Sequence, residues 1–236
     1  MFTTAGWASN TVGLWNPATG QLAGTIGPIY PALDSSPVFS PRGHTLATGN
    51  QDGSKIVLWD TATRQPMATL DHANARPVFS PDGQTLATIG NDGTLRLWDP
   101  ATGRASAIFD NGIRSDSYIV FSPDSRIIAI NNHAGTLWLW DPMTGRLTTR
   151  HDVIGSWGMV FSPDSHILAI NDYGMLRLLD PATGQITAAL DRTNSRYSYH
   201  DSYSGYDYNA AFSPDGRTLA AVSWAGKLRL WPIQKP

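Results

Sequence analysis

The side chains best suited to proton transfer or metal binding are thinly spread along this chain. Six histidines stand at 44, 72, 133, 151, 166 and 200, with no pair at the short spacings that metal ligands favour. His200-Asp201-Ser202 holds the residue types of a nucleophilic relay. Adjacency in sequence does not position such a relay, and no nucleophile turn precedes the serine. The chain contains no cysteine, which excludes disulfides, thiolate nucleophiles and Cys-ligated zinc or iron–sulfur sites. Its glycines sit in hairpin-type turns and not before helical segments, so no phosphate-cradling loop is expected. These features predict no enzyme activity, no catalytic residues, no cofactor and no metal site.

What remains is chemistry of recognition. Residues 191–208 read Asp-Arg-Thr-Asn-Ser-Arg-Tyr-Ser-Tyr-His-Asp-Ser-Tyr-Ser-Gly-Tyr-Asp-Tyr and hold five of the eight tyrosines. Rigid amphipathic aromatics interleaved with small adaptable polar residues are the composition of a contact loop. Net charge is −2, from 17 basic and 19 acidic residues, and no Lys/Arg run forms a phosphate-tracking stripe. Nucleic acid is therefore not the expected partner. No apolar stretch approaches the ~20 residues of a membrane-spanning helix. Met1–Trp7 lacks the charged start and apolar run of a signal peptide, so the expected location is cytoplasmic, away from membranes.

The elements that carry these residues repeat. Phe-Ser-Pro recurs at Phe39, Phe79, Phe121, Phe161 and Phe212, at spacings of 40, 42, 40 and 51 residues. About twenty residues after each comes a phrase like Leu97-Trp98-Asp99-Pro100-Ala101-Thr102-Gly103 or its variants. A period near 40 means one supersecondary unit copied side by side. Within the third copy, short β-rich runs alternate with turn clusters. Pro81-Asp82-Gly83 suits a type I turn closing a hairpin, and Asn91-Asp92-Gly93 is a hairpin signal. No segment sustains a 3.6-residue period, so no helix is expected. Each unit reads as four antiparallel strands: a ending at Phe-Ser-Pro, b the Leu-Ala-Thr run, c ending at Leu-Trp, and d after Thr-Gly. Strand c is apolar on both faces, as in a sheet covered on both sides. Stacked four-stranded sheets of a β-propeller meet that condition.

Phe79-Ser80-Pro81-Asp82-Gly83, Leu86-Ala87-Thr88, Asp92-Gly93, Leu95-Arg96-Leu97-Trp98-Asp99 and Thr102-Gly103, with their counterparts along the whole chain, closely resemble the WD-repeat family, in its bacterial-type form. The resemblance implies an all-β propeller of about six four-stranded antiparallel blades. It also implies a hydrogen-bonded cluster of a His, a strand-b Ser or Thr, a turn Asp and the strand-c Trp. Only the third repeat offers all four, at His72, Thr88, Asp92 and Trp98. The Gly-His dipeptide of the family is absent. The fourth repeat has Ile130 and Ala134 in place of two members, and the fifth has Leu179 in place of the Trp. Apolar packing, not these clusters, is therefore expected to supply most of the stability.

The blades are expected at 1–27, 36–71, 76–110, 117–150, 157–191 and 208–236 of a single propeller domain spanning 1–236, with a Tyr-rich insertion at 192–207. Trp15 aligns with Trp98, so the first blade reads as b, c and d without its inner strand. The last reads as a, b and c without its outer strand. A closed ring needs both missing strands, so an upstream segment or a partner closing the seam is expected. The alternative is a slightly degenerate ring of this chain alone.

In an a-b-c-d meander the a–b and c–d turns share one end, and the b–c and d–a connections share the other. The first end is nearly invariant between copies, whereas the second varies. Trp7, Tyr173 and Trp224 align with b–c turns and Trp157 with a d–a loop, beside Tyr197, Tyr199, Tyr203 and Tyr206 of the long connection. These eight are the candidate partner-binding residues, as aromatics gathered at one end suit an interface centre. They could instead plug a channel mouth, and the Tyr-rich stretch could be an insertion without fixed structure. Trp15, Trp59, Trp98, Trp140 and Trp231 occupy the strand-c core site, with Trp138 beside them. Arg96, Arg177 and Arg229 recur at one strand-c position, where packed stems and solvated heads are expected. The function read from this pattern is a non-catalytic scaffold that binds another protein or peptide through the b–c/d–a face. The alternatives are a ligand-sensing or regulatory C-terminal module of a larger signalling protein and, third, a small-molecule-binding propeller.

Overall fold

The computed structural model describes residues 2–6, 11–27, 29, 37–50, 54–71, 77–110, 113–114, 117–132, 135–152, 156–172, 175–191, 210–222 and 228–234. Every regular element among them is a β-strand, in six antiparallel sheets. The chain divides into two compact units, Met1–Ser115 and Asp116–Pro236.

The first unit holds three sheets. They are β1 (Phe2–Gly6), β2 (Thr11–Trp15) and β3 (Leu22–Ile26); β4 (Val38–Phe39), β5 (Thr45–Gly49), β6 (Lys55–Asp60) and β7 (Pro66–Asp71); and β8 (Val78–Phe79), β9 (Leu86–Ile89), β10 (Thr94–Asp99) and β11 (Arg104–Asp110). The second unit holds the other three. They are β12 (Tyr118–Phe121), β13 (Ile128–Asn131), β14 (Thr136–Asp141) and β15 (Arg146–Asp152); β16 (Ser156–Phe161), β17 (Leu168–Asp172), β18 (Met175–Leu179) and β19 (Ile186–Asp191); and β20 (Ala210–Phe212), β21 (Thr218–Val222) and β22 (Leu228–Pro232). Each sheet is a meander of sequence neighbours, the form of a propeller blade. Among the described residues the first sheet has strands b, c and d and the sixth has a, b and c, as the repeat alignment predicts.

The a–b turn is built around its serine. Ser80 Oγ donates to Asp82 Oδ1 at 2.6 Å and accepts the Thr85 N–H at 2.9 Å, while Asp82 accepts the Gln84 N–H. The next residue takes φ near +70°, which Gly83 adopts freely. Ser125 and Ser165 adopt the same left-handed backbone at φ 63° and 65°. Ser165 is held there by a bond between sheets, since its Oγ accepts the Asp124 N–H at 3.1 Å.

A feature invisible in the repeat alignment recurs between strands c and d. The register slips by one residue beside the last strand-c apolar position in each of the five c–d pairs. The unpaired residues are Ala23, Met67, Ser106, Thr148 and Thr187. Such a bulge bends the strand and sharpens its twist. In the third to fifth sheets the bulged residue is Ser or Thr, and its hydroxyl donates to the strand-c carbonyl of Leu97, Leu139 or Leu178.

The cores lie between consecutive sheets of a unit and follow one pairing rule. The strand-c aliphatics of one sheet pack against the strand-a Phe, strand-b Leu and strand-c Trp of the next. Ile56 and Leu58 thus meet Phe79, Leu86 and Trp98, and Val12 and Leu14 meet Phe39, Leu46 and Trp59. In the second unit Leu137 and Leu139 meet Phe161, Leu168 and Leu179, and Leu176 and Leu178 meet Phe212, Leu219 and Trp231. This accounts for the two-faced greasiness of strand c: each face serves a different neighbour.

Candidate interaction surface

Polar groups at the a–b/c–d end are engaged by their own backbone. Asp99 accepts the Ala101 N–H and the Thr102 hydroxyl, both at 2.8 Å. Asp60, Asp141 and Asp180 accept the corresponding pairs. The Thr102 hydroxyl and the Ala101 N–H hold the Asp99 carboxyl below its ordinary range. Asp60 is lowered by the Thr63 N–H and hydroxyl, Asp180 chiefly by the Ala182 N–H, and Asp215 by the Ser213 hydroxyl. For Asp141, burial pushes upward most, but the bonds from Thr144 and Met143 together outweigh it.

A lowered folded-state pKa means that the unfolded chain binds protons first, so acid favours unfolding. Stability is expected to be level above about pH 5 and to fall as the pH drops through the ordinary aspartate range. Denaturant midpoints measured between pH 3 and 7 check this, and Asp99→Asn should flatten the acid limb. A limb unchanged in that variant would contradict it.

The b–c/d–a end is built differently from sheet to sheet. Asn50 and Asn132 close their b–c turns by accepting the N–H of Lys55 and Thr136, each at 2.9 Å. Asp92 closes the turn of the third sheet and also pairs with Arg96, Nη2 to Oδ2 at 2.6 Å. That bond is the main reason the Asp92 carboxyl lies far below its usual range. The expectation of a solvated Arg96 head is corrected here: the side chain is 11% exposed and its charge is met by Asp92, four residues earlier in the b–c turn. Two connections after strand d send an isoleucine inward. Ile29 joins the core between the first two sheets, and Ile113 is buried with its carbonyl over Gly93.

Of the four cluster residues, Thr88 and Trp98 are joined, indole Nε1 donating to Oγ1 at 2.9 Å in a buried setting. Asp92 pairs with Arg96 instead, and His72 lies outside the described residues. The second sheet repeats the bond between Trp59 and Thr48. In the fourth, Ile130 stands where Thr88 would. Of the strand-c tryptophans, Trp59, Trp98 and Trp140 are buried, with Trp138 beside them, whereas Trp15 and Trp231 are half-buried.

Trp7, Tyr173, Tyr197, Tyr199, Tyr203, Tyr206 and Trp224 lie outside the described residues, as does the stretch 192–207. Trp157 needs a correction: it stands within β16, not in the preceding connection. Ser156 pairs with Asp172 and Met159 with Ile170, so β16 carries one extra residue there, and Gly158 gives the backbone freedom for it. In the fifth sheet β17 ends at Asp172 and β18 begins at Met175, and in the sixth β21 ends at Val222 and β22 begins at Leu228.

Among the described residues no cluster of His, Asp or Glu could hold a metal ion. A cavity of about 50 Å³ between the fifth and sixth sheets is lined by Gly158, Met159, Val160, Ala169, Asn171, Leu176 and Ala210. Asn171 supplies the one polar side chain of its lining.

The family model described as "WD domain, G-beta repeat" matches residues 68–99 and 202–232. The first match runs from strand d of the second sheet to the Trp98-Asp99 end of the third, and the second closes on the sixth sheet. These two matches support a WD-repeat family protein. No curated protein sequence is similar enough to the chain to count as a match. WD repeats generally mediate protein–protein interaction and typically serve as non-enzymatic scaffolds. The two matched stretches close on strand c of the third and sixth sheets, and in the third the cluster is reduced to the Trp98–Thr88 bond.

Proposed function

We propose that this WD-repeat protein is a non-catalytic scaffold that captures another protein or peptide with the b–c/d–a end of its blades. In the second unit the candidate contact residues are Trp157, Tyr173, Tyr197, Tyr199, Tyr203, Tyr206 and Trp224, and in the first unit Trp7. One observation carries the reading. The repeated a–b and c–d turns engage their polar groups in closing themselves, which leaves sequence variation and aromatic density to the opposite end.

The test is a pull-down, with captured proteins identified, comparing the intact chain with Tyr197→Ala/Tyr199→Ala/Tyr203→Ala. Specific capture should be abolished, while stability changes by no more than about 0.5 kcal/mol per site, as for exposed positions. Equal loss of capture and stability would make the segment structural and overturn the reading. So would a triple variant that binds as well as its parent.

A further inference from the structure

Two unfavourable backbone choices face each other in the first unit. The c–d turn ends in Gly at 20, 103, 145 and 184, each with φ between 66° and 74°. In the second sheet the same place holds Arg64, at φ 62°. A non-glycine residue there is costly, so something must hold it. The strand-d position paired with the second strand-c aliphatic is Ala68, Ala107, Thr149 or Ala188, but in the first sheet it is Gly24, at φ 156°. Glycine in a strand is itself destabilising.

The two departures meet. A Cβ placed on Gly24 would overlap the Arg64 guanidinium, whose Nη1 donates to the Ala23 carbonyl at 3.2 Å. Ala23 is the bulged residue of β3, and it lacks the hydroxyl that ties the bulge in the third to fifth sheets. Elsewhere the bulk is distributed the other way. Gly103 lies against the methyl of Ala68, and Gly184 lies against Thr149, with His151 hydrogen-bonded to the Gly184 carbonyl. Each contact accommodates one substantial group, supplied by the strand in those two places and by the turn in the first.

We infer that Arg64 and Gly24 form a co-adapted lock, in which the arginine of one repeat fills the space left on its neighbour's outer strand and ties down the β3 bulge. The pair is an exchange of bulk between adjacent repeats. Arg64→Gly with Gly24→Ala converts it to the arrangement of Gly103 and Ala68.

Equilibrium urea unfolding of the full chain, of each single variant and of the double variant tests the coupling. With Arg64 present, Gly24→Ala bears the backbone cost of a methyl at φ 156° and must also push the guanidinium off the Ala23 carbonyl, so it should lower the folding equilibrium constant about tenfold. In the Arg64→Gly background only the backbone cost of alanine at φ 156° remains, so the loss should be about threefold smaller. An equal loss in both backgrounds would assign the cost to the Gly24 backbone and overturn the lock. If Gly24→Ala alone fails to fold, a folded double variant supports the inference and an unfolded one defeats it.

Discussion

Trp98→Ala is expected to lower the unfolding free energy by about 3–5 kcal/mol, the range for large buried side chains cut back to alanine. The indole is central to the contact between the second and third sheets, packed with Ile56, Leu58, Phe79 and Leu86. Its truncation also removes the donor to Thr88 Oγ1, a buried group that then loses its bond. Two companion variants separate these effects. Trp98→Leu keeps part of the apolar volume, and Leu179 shows that leucine fits this place, fully buried, in the fifth sheet. It should therefore cost clearly less than alanine. Thr88→Val keeps the shape and removes the acceptor, and should cost on the order of 1 kcal/mol. Urea unfolding followed by far-ultraviolet circular dichroism measures all three. If Thr88→Val proved as costly as Trp98→Ala, the hydrogen bond and not the packing would dominate this contact.

Gly93→Ala is expected to cost about 2–4 kcal/mol, from left-handed backbone and overpacking together. Gly93 has φ 76°, and an added methyl would run into the Ile113 carbonyl oxygen, a backbone atom that cannot rotate away. Gly83→Ala is the control. Its φ is 72°, but the nearest atom to an added methyl is Pro41 Cδ at 3.6 Å, so it bears the backbone cost alone, about 1–2 kcal/mol. The difference between the two variants isolates the Ile113 contact. That contact anchors the connection after β11 to the b–c turn of its own sheet, so Gly93→Ala should also speed amide exchange around residue 113. Equal costs for the two variants would show that Ile113 yields freely.

Much of this was legible in the residues, for identifiable reasons. Strand order and lettering follow from turn chemistry that repeats: Ser-Pro-Asp-Gly and Asp-Pro-Ala-Thr-Gly each have one low-energy way to reverse the chain. The bulge between strands c and d was not legible, because a one-residue slip leaves composition unchanged. Its trace is the hydroxyl of Ser106, Thr148 and Thr187, three residues after the turn glycine in each case. The Arg96–Asp92 pair was readable as a four-residue spacing from turn to strand, but surface arginines so often extend into water that a solvated head was expected. Trp157 aligns with the d–a connections of the other copies, and β16 reaches it because that strand is longer than its counterparts and carries one extra residue. The aromatic candidates sit in connections that do not repeat. Alignment therefore gives their end of the sheet, and nothing in neighbouring copies gives their packing.

Hydrogen–deuterium exchange of the chain with and without its captured protein is the most direct test of the scaffold reading. Protection is predicted in the segments that join strands at the b–c/d–a end of the second unit, above all 192–209 and 223–227. The Ser-Pro-Asp-Gly and Asp-Pro-Ala-Thr-Gly turns should exchange at unchanged rates. Protection concentrated on those turns, with 192–209 unaffected, would contradict the account.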